Sequence, residues 1–320
     1  MGGCLHPLRL WITPARPGPD EHAASVGRVH AVPLVLRGQP FIGSQAVSAG
    51  MLTRRRLEGP AFQRVLHGVY IDAGSRVDHG VRCRAAALLL PASTALSGLS
   101  AAWWYGIRLA GKDDRVVAAS PRLVHVDGPR GILIHQTPLD LQDVKTVAGL
   151  RITSPARAAW DVATLEELPA AVAGIDAMLH SGILHSTDFT SRIALSSGLW
   201  RVSRARYVLS LVDGRSESPP ESRIRLTLLD AGLPPAVPQY EVRKNGLFIA
   251  RVDLAWPAAR VAVEYDGAHH ADPMQMRRDR RRLNSLVDAG WLIIHATASD
   301  LHAPATLIAQ VRAALRGRAA

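Results

Sequence analysis

The chain has 320 residues and a mass of 34.5 kDa, so it is longer than one ordinary domain and two or three compact units are expected. Its residues are 48% hydrophobic and 20% charged, and its mean hydropathy is +0.06. These values exclude a disordered polar chain and a polytopic membrane protein. The formal net charge of +11 favours a polyanionic partner, chiefly nucleic acid.

The cysteines and the longest uncharged span indicate a cytoplasmic protein. Cys4 and Cys83 are far apart and lack a CxxC spacing, which argues against a disulfide framework or a zinc knuckle and suits a reducing compartment. No residue between Arg84 and Arg108 is charged, but proline, serine and glycine interrupt this span. We therefore expect two buried helices joined by a turn there, and no membrane segment.

The segment 41–78 has the outline of a winged helix, and the proline-rich extension over 1–40 before it is expected to be poorly ordered. Residues 44–50 predict a short helix, and Thr53 is placed to cap a second helix that ends at Glu58. A two-residue turn with positive φ angles then predicts a hairpin. Its strands are Phe62–Leu66 and Val69–Asp72, joined at His67-Gly68.

Three consecutive arginines, Arg54, Arg55 and Arg56, open the second of these helices. In a winged helix they would face a groove of DNA or its phosphates. The alternative is an exposed helix face that contacts only solvent.

Two runs of residues carry a family resemblance. They are Leu52-Thr53-Arg54 with Leu66-His67-Gly68-Val69-Tyr70, and Gly149-Leu150-Arg151-Ile152-Thr153-Ser154-Pro155-Ala156-Arg157 with Trp160-Asp161. These motifs resemble the abortive-infection type IV antitoxins, the AbiEi family. The resemblance implies that a winged helix at 41–78 binds operator DNA and that a middle domain at 79–200 restrains a nucleotidyltransferase-type toxin. A linker is expected at 201–216.

The segment 217–320 has the densest pattern of charged residues and regular elements. Ser218 and Glu221 are spaced as a capping box that opens a helix, and Gly232 ends it. Alternating and helical apolar spacings predict five further elements. They are the strands Leu247–Trp256 and Val261–Asp266, the helix Met274–Ala289, the strand Trp291–Thr297 and the helix Ala303–Leu315.

A hairpin that turns at Ala258-Ala259 brings carboxylates together. Its register places Asp253 opposite Glu264 at about 5 Å, and Asp266 lies on the same face of its strand. At an effective dielectric of 20 the first two charges repel by roughly 3 kcal/mol, which a divalent cation, Mg²⁺ or Mn²⁺, would offset. The alternatives are protonation of one carboxylate or neutralisation by nearby arginines, namely Arg251 and Arg282.

This segment carries a second family resemblance. Its motifs are Arg251-Val252-Asp253, Val263-Glu264-Tyr265-Asp266-Gly267 with His270, and Asp279 with Arg282, Leu286 and Gly290-Trp291. They resemble a bacterial domain family of unknown function, family 559, which is similar to the very-short-patch-repair (Vsr) endonucleases of the PD-(D/E)xK superfamily. The resemblance implies a restriction-endonuclease-like domain at 217–320.

The same resemblance implies roles for individual residues. Asp253 and Glu264 would bind the metal ion, Asp266 would be a third acidic ligand or support the other two, and Glu221 would be the helix carboxylate. His270 would be a general base or orient water, although it could instead only hydrogen-bond an acidic neighbour. Asp266 occupies the position of the superfamily's lysine, so catalysis would rest on the metal and His270. The arginines expected on DNA phosphates in this segment are Arg278, Arg281 and Arg282.

Together these patterns predict an α+β multidomain protein with an N-terminal winged helix, a mixed α/β middle domain and a C-terminal α/β restriction-endonuclease-like domain. The leading hypothesis is a cytoplasmic, Mg²⁺-dependent DNA endonuclease that the winged helix delivers to duplex DNA. The alternative is a non-catalytic DNA-binding transcriptional regulator of the antitoxin class. Its partners would be DNA and a nucleotidyltransferase-type toxin.

Overall fold

The computed structural model describes residues 32–122, 124, 128–267 and 273–318, except for the side chains of 273–277 and 279. The first 31 residues of the expected extension and His270 lie outside this part of the chain. The described residues form helices and three β-sheets, in agreement with the predicted α+β class. None of the described helices is both long and apolar enough to cross a membrane. The chain divides into two compact units, the first built from the described parts of 1–96 and 110–152 and the second from those of 97–109 and 153–320.

The first unit begins with a pair of short helices and a three-stranded sheet. The Thr53 hydroxyl accepts a hydrogen bond from the Arg56 amide at 3.2 Å, which caps the second helix as predicted. Gly68 has a φ of +75° at the hairpin turn, a conformation that glycine adopts without strain. Both hairpin strands have their predicted bounds. The elements are β1 (Phe41–Ile42), α1 (Gly43–Ser48), α2 (Arg54–Leu57), β2 (Phe62–Leu66) and β3 (Val69–Asp72), and the strand order is β1-β3-β2.

The rest of the first unit is built on a five-stranded sheet. The sequence places the first of two helices between Arg84 and Arg108, but the helix found here begins earlier, at His79, and ends at Ala87. The short strand that follows, β4, was not predicted; it pairs antiparallel with β5 and parallel with β8. The side chains of β5 are all buried, so this strand forms part of the core. The elements are α3 (His79–Ala87), β4 (Ala95–Leu96), β5 (Val116–Ser120), β6 (Ile132–Gln136), β7 (Val144–Val147) and β8 (Leu150–Thr153), and the strand order is β6-β5-β4-β8-β7.

The second unit contains a cluster of helices. The last helix of this cluster, at Pro219–Asp230, packs on the helix at Leu168–His180 through a buried ion pair. In this pair Arg225 Nη2 lies 2.8 Å from Asp176 Oδ2. The expected linker at 201–216 contains a helix, α8. The elements are α4 (Gly98–Trp104), α5 (Pro155–Leu165), α6 (Leu168–His180), α7 (Ser186–Leu195), α8 (Val202–Leu211) and α9 (Pro219–Asp230).

The second unit ends in a four-stranded sheet that helices cover. One apolar cluster packs α9 and the last helix against the sheet through Leu228, Leu254 and Val311. Another packs the long arginine-rich helix against it through Leu286 and Ala262. The elements are β9 (Val237–Lys244), β10 (Leu247–Trp256), β11 (Val261–Tyr265), α10 (Pro273–Asp288), β12 (Leu292–Ala296) and α11 (Ala305–Arg318), in the strand order β12-β11-β10-β9 with β11 and β12 parallel.

Candidate carboxylate site and basic surfaces

The C-terminal hairpin has the register that the sequence predicts. Leu254 pairs with Val263 between antiparallel β10 and β11, so Asp253 and Glu264, the next residues in the ladder, lie opposite each other. The Asp253 side chain bends along the hairpin, and its Oδ2 accepts a hydrogen bond from the Tyr265 amide at 2.8 Å. The hairpin therefore brings these two candidate ligands to one place.

Glu264 is neutralised by an arginine of α10. Arg282 donates from Nη1 to Glu264 Oε1 and from Nη2 to Oε2, both at 2.7 Å. The glutamate side chain is 8% exposed and the arginine side chain 41%. Burial raises the pKa of the Glu264 carboxyl, and the Arg282 guanidinium opposes that shift. This geometry matches the alternative in which arginine offsets the carboxylate charge.

Asp253 lies in a polar group with Glu221 and Gln239, of which Glu221 is buried and the other two are half-buried. Gln239 Nε2 donates to Glu221 Oε2 at 2.8 Å and to Asp253 Oδ1 at 3.4 Å. Burial raises the pKa of the Asp253 carboxyl; the Tyr265 N–H lowers it and the charge of Glu221 raises it further. Sequence reasoning missed Gln239, which has a φ of +50° and lies in β9, a strand that the sequence did not predict.

Glu221 anchors the start of α9. Its carboxylate accepts hydrogen bonds from Ser218 Oγ at 2.8 Å and from the Glu217 amide at 3.0 Å. Ser218 Oγ in turn accepts from the Glu221 amide at 3.4 Å. The capping box is therefore corrected in one detail: the glutamate bonds the amide before the N-cap residue and the N-cap hydroxyl, not the N-cap amide. Glu221 thus both caps α9 and, through Gln239, adjoins Asp253.

Asp266 is the most exposed of the predicted ligands, with 58% of its side chain accessible. Its Oδ2 lies 3.0 Å from His295 Nδ1, and β12 pairs His295 with Glu264 in the parallel ladder. Here the imidazole faces a carboxylate.

The carboxylates, as they are arranged, do not fit a bound Mg²⁺ or Mn²⁺ ion. Both oxygens of Glu264 contact Arg282, and one oxygen of Asp253 contacts a backbone amide. Among the described residues, no group of three His, Cys, Asp or Glu side chains is arranged to hold a metal ion. A cation at Glu264 would first have to displace the guanidinium of Arg282.

The other predicted DNA-contacting arginines lie at the surface. In the first unit Arg54 and Arg55 are exposed and Arg56 is half-buried. Arg54 Nε lies 3.1 Å from Glu58 Oε1, with both side chains largely in solvent, so this pair contributes little and the arginine can exchange partners. In the second unit Arg278 and Arg281 are exposed on α10. Four of the six arginines are therefore accessible to phosphate.

The motif around residues 149–161 has a structural role in the second unit. Arg157 Nε lies 3.0 Å from Asp161 Oδ2, and both side chains are fully buried within α5. Asp161 also accepts a hydrogen bond from Ser97, at the start of α4. Trp160 is 2% exposed. These residues pack α4 against α5, so the motif specifies the core of the domain.

Comparisons with known proteins agree with one part of the sequence analysis. A family model described as the AbiEi antitoxin C-terminal domain matches residues 94–211. These residues include α4 to α8 and strands β4 to β8. The antitoxin resemblance is thus confirmed for this part of the chain, and an antitoxin-like domain lies there.

Curated relatives cover a longer part of the chain. The uncharacterized proteins Rv2248 and MT2308 of two Mycobacterium tuberculosis strains are each 35% identical over 183 residues, which is 57% of this chain and 67% of the relative. The crystal structure of the RV2827C protein from Mycobacterium tuberculosis aligns with 65% of this chain and with 84% of the RV2827C chain. The sequence identity is 16% and the TM-score is 0.39. The chain belongs to the family of the mycobacterial proteins Rv2248 and MT2308, and it contains an AbiEi antitoxin C-terminal domain.

Proposed function

We propose that the protein is a DNA-binding transcriptional regulator of the antitoxin class that acts in the cytoplasm. The observation that carries this proposal is the antitoxin C-terminal domain at 94–211. The ion pair between Arg282 and Glu264 supports a regulator over an enzyme, because Arg282 already contacts the carboxylate oxygens of Glu264 that a metal ion would bind. The formal net charge of +11 agrees with a nucleic-acid partner.

The DNA contacts are assigned to the helix pair and hairpin that begin the first unit, as a winged helix. α2 presents Arg54 and Arg55 to solvent while Leu57 is buried in the apolar core beneath. Thr53 caps this short helix, so its arginines project from a fixed backbone. Guanidinium groups held in this way can bind phosphates and read base edges in the major groove.

The DNA-binding proposal is tested by measuring the affinity of the full chain for a duplex that carries its own promoter, at several salt concentrations. The slope of log K against log salt is negative, and each lost phosphate contact lowers its magnitude by about 0.9. Arg54→Ala/Arg55→Ala is therefore expected to reduce the magnitude of the slope by about two. The matched control is Arg76→Ala/Arg122→Ala, which removes two exposed arginines of the same unit. Equal slopes for the two double variants would overturn the assignment.

The antitoxin domain is assigned a protein partner, a toxin of the nucleotidyltransferase type. This assignment is based on the antitoxin family to which the matched domain model belongs. It requires that the gene for such a toxin lies next to the gene for this chain. Co-expression of the two proteins followed by affinity purification tests it. The expected result is a stable complex and loss of toxicity; growth arrest that this chain does not relieve would contradict the assignment.

A second candidate function is metal-dependent DNA cleavage by the C-terminal domain. The observation that favours it is a pair of carboxylates, half-buried Asp253 and buried Glu264, brought opposite each other on adjacent strands. Supercoiled plasmid incubated with Mg²⁺, Mn²⁺ or EDTA tests it, with Asp253→Asn as the matched variant. Nicking that requires a metal ion and disappears in this variant would establish cleavage; intact plasmid in every reaction would eliminate it.

A further inference from the structure

The first unit contains a basic cavity that the proposed function does not use. Its volume is about 500 Å³, and it is lined by the β2–β3 hairpin, by α3 and by the loop before β6. Arg64 and His67 come from the hairpin, Arg82 from α3 and Arg130 from the loop. Among the described residues, no carboxylate lines it. Three guanidinium groups around one cavity create a positive potential that suits an anion.

Arg82 has a buried donor in this lining. Its Nε is buried and has no hydrogen-bond partner among the described residues. Its Nη2 lies 3.1 Å from the point that a Cβ on Gly131 would occupy, and Gly131 has a φ of +96°. The glycine therefore leaves room for the guanidinium against the loop. A buried N–H without an acceptor is costly, and a bound oxyanion in the cavity would give this guanidinium an acceptor.

The backbone around the cavity is well defined. The Val116 amide donates to the Gly131 carbonyl at 3.0 Å, and the Ile132 amide donates to the Pro129 carbonyl at 3.0 Å, so β5 and a tight turn fix the loop. On the other side, the ladder between β2 and β3 extends to the pair Leu66 and Val69 beside the turn. The arginines therefore project from ordered elements, which lowers the entropy cost of binding.

We propose that this cavity is a phosphate-binding site. The planar guanidinium fork matches the geometry of phosphate oxygens. The lining contains no Phe, Tyr or Trp ring among the described residues, so it provides no aromatic platform for a nucleobase and selects the phosphate group itself. The assigned source is a backbone phosphate of DNA, which rests on the function proposed above. A free nucleotide is the other source of the same chemistry.

The site is tested with Arg82→Gln and Arg130→Ala, with Arg76→Ala as the control. Arg130 is exposed, so its substitution leaves the core intact even if Arg82→Gln lowers stability, which thermal unfolding monitors. Arg76 is also exposed and follows the end of the hairpin opposite the turn. Duplex affinity is measured by fluorescence anisotropy against salt, and calorimetric titrations use ATP and inorganic phosphate.

Arg82→Gln and Arg130→Ala are each expected to weaken duplex binding about five- to tenfold and to lower the salt slope by about one, while Arg76→Ala has a smaller effect on both. If ATP binds the unchanged protein and Arg82→Gln abolishes this without affecting the duplex, the site takes a free nucleotide.

The two proposals fail separately. If the unchanged protein binds no duplex, the proposed function fails, and the titrations with ATP and phosphate still decide the cavity: binding that Arg82→Gln removes supports the site. If Arg82→Gln and Arg130→Ala have the same affinities as Arg76→Ala for duplex, ATP and phosphate, the proposed phosphate site is overturned.

Discussion

Arg282 binds both carboxylate oxygens of Glu264 at 2.7 Å. The sequence analysis expects Arg282 to contact DNA phosphates and Glu264 to bind a metal ion, but in the structure the two side chains neutralise each other. The pair joins α10 to β11, and the Glu264 side chain is nearly buried. An ion pair of this kind fixes the helix on the sheet and lowers the cost of burying the carboxylate. It accounts for the buried charge of Glu264 without a cation.

Arg282→Met is expected to destabilise the protein by about 1–3 kcal/mol, because it leaves the Glu264 charge buried without a partner while the arginine itself was partly in solvent. The free energy of unfolding in urea measures this effect. The double variant Arg282→Met/Glu264→Gln removes the stranded charge and is expected to recover at least half of the loss. An Arg282→Met protein as stable as the unchanged protein would show that the pair contributes nothing.

Asp253 predicts a pH dependence of stability. Burial raises its folded pKa above the unfolded value, so the folded state holds the proton more tightly and stability falls as pH rises from the unfolded pKa through the folded pKa. Asp253→Asn removes this penalty and keeps an oxygen that can accept from the Tyr265 amide. Its stability relative to the unchanged protein is therefore expected to be greater at about pH 7 than at about pH 4, by urea unfolding. The opposite trend would mean that the charged form is favoured in the folded protein.

The C-terminal hairpin shows how much of the site was predictable. Strict alternation and a short turn fix the register of an antiparallel pair, so the sequence predicted that Asp253 lies opposite Glu264. What fills the space between carboxylates depends on long-range packing. Leu286, one turn further along α10 from Arg282, is buried against the sheet and holds that face of the helix near Glu264. Gln239 was missed because it lies in β9, a strand that the sequence did not predict.

The folds of the two units were predictable to different degrees. Local capping and turn chemistry gave α2 and the β2–β3 hairpin in the first unit. The two-residue strands β1 and β4 were missed, because a strand of that length has no alternation to detect and forms only when distant partners are in place. The helix α8 was assigned to a linker for a similar reason: only two of its ten residues, Ala205 and Val208, are buried.

Thr53→Ala is expected to lower the stability of the first unit by about 1 kcal/mol, since it removes the side chain that caps α2. Thr53→Ser keeps the hydroxyl and serves as the control. Thermal unfolding measures the difference, and duplex affinity is expected to fall with it because α2 carries Arg54 and Arg55. If alanine and serine at this position give the same unfolding temperature, the cap makes no contribution.

Arg157→Met tests the structural role of the antitoxin-like motif. The substitution removes the guanidinium that neutralises the buried Asp161 carboxylate, and a loss of about 3–5 kcal/mol is expected in urea unfolding. The exposed arginine Arg206 on α8 provides a control through Arg206→Met, for which a change within about 0.5 kcal/mol is expected. Equal stabilities for the two variants would mean that the ion pair between Arg157 and Asp161 does not stabilise the core.

The most direct test of the central claim is one electrophoretic experiment with a labelled duplex in Mg²⁺ and in EDTA. The antitoxin account predicts a shifted, uncut duplex in both buffers, and loss of the shift for Arg54→Ala/Arg55→Ala with retention for Arg76→Ala/Arg122→Ala. Cleavage fragments that appear only with Mg²⁺ and are absent for Asp253→Asn would contradict the account and establish a nuclease.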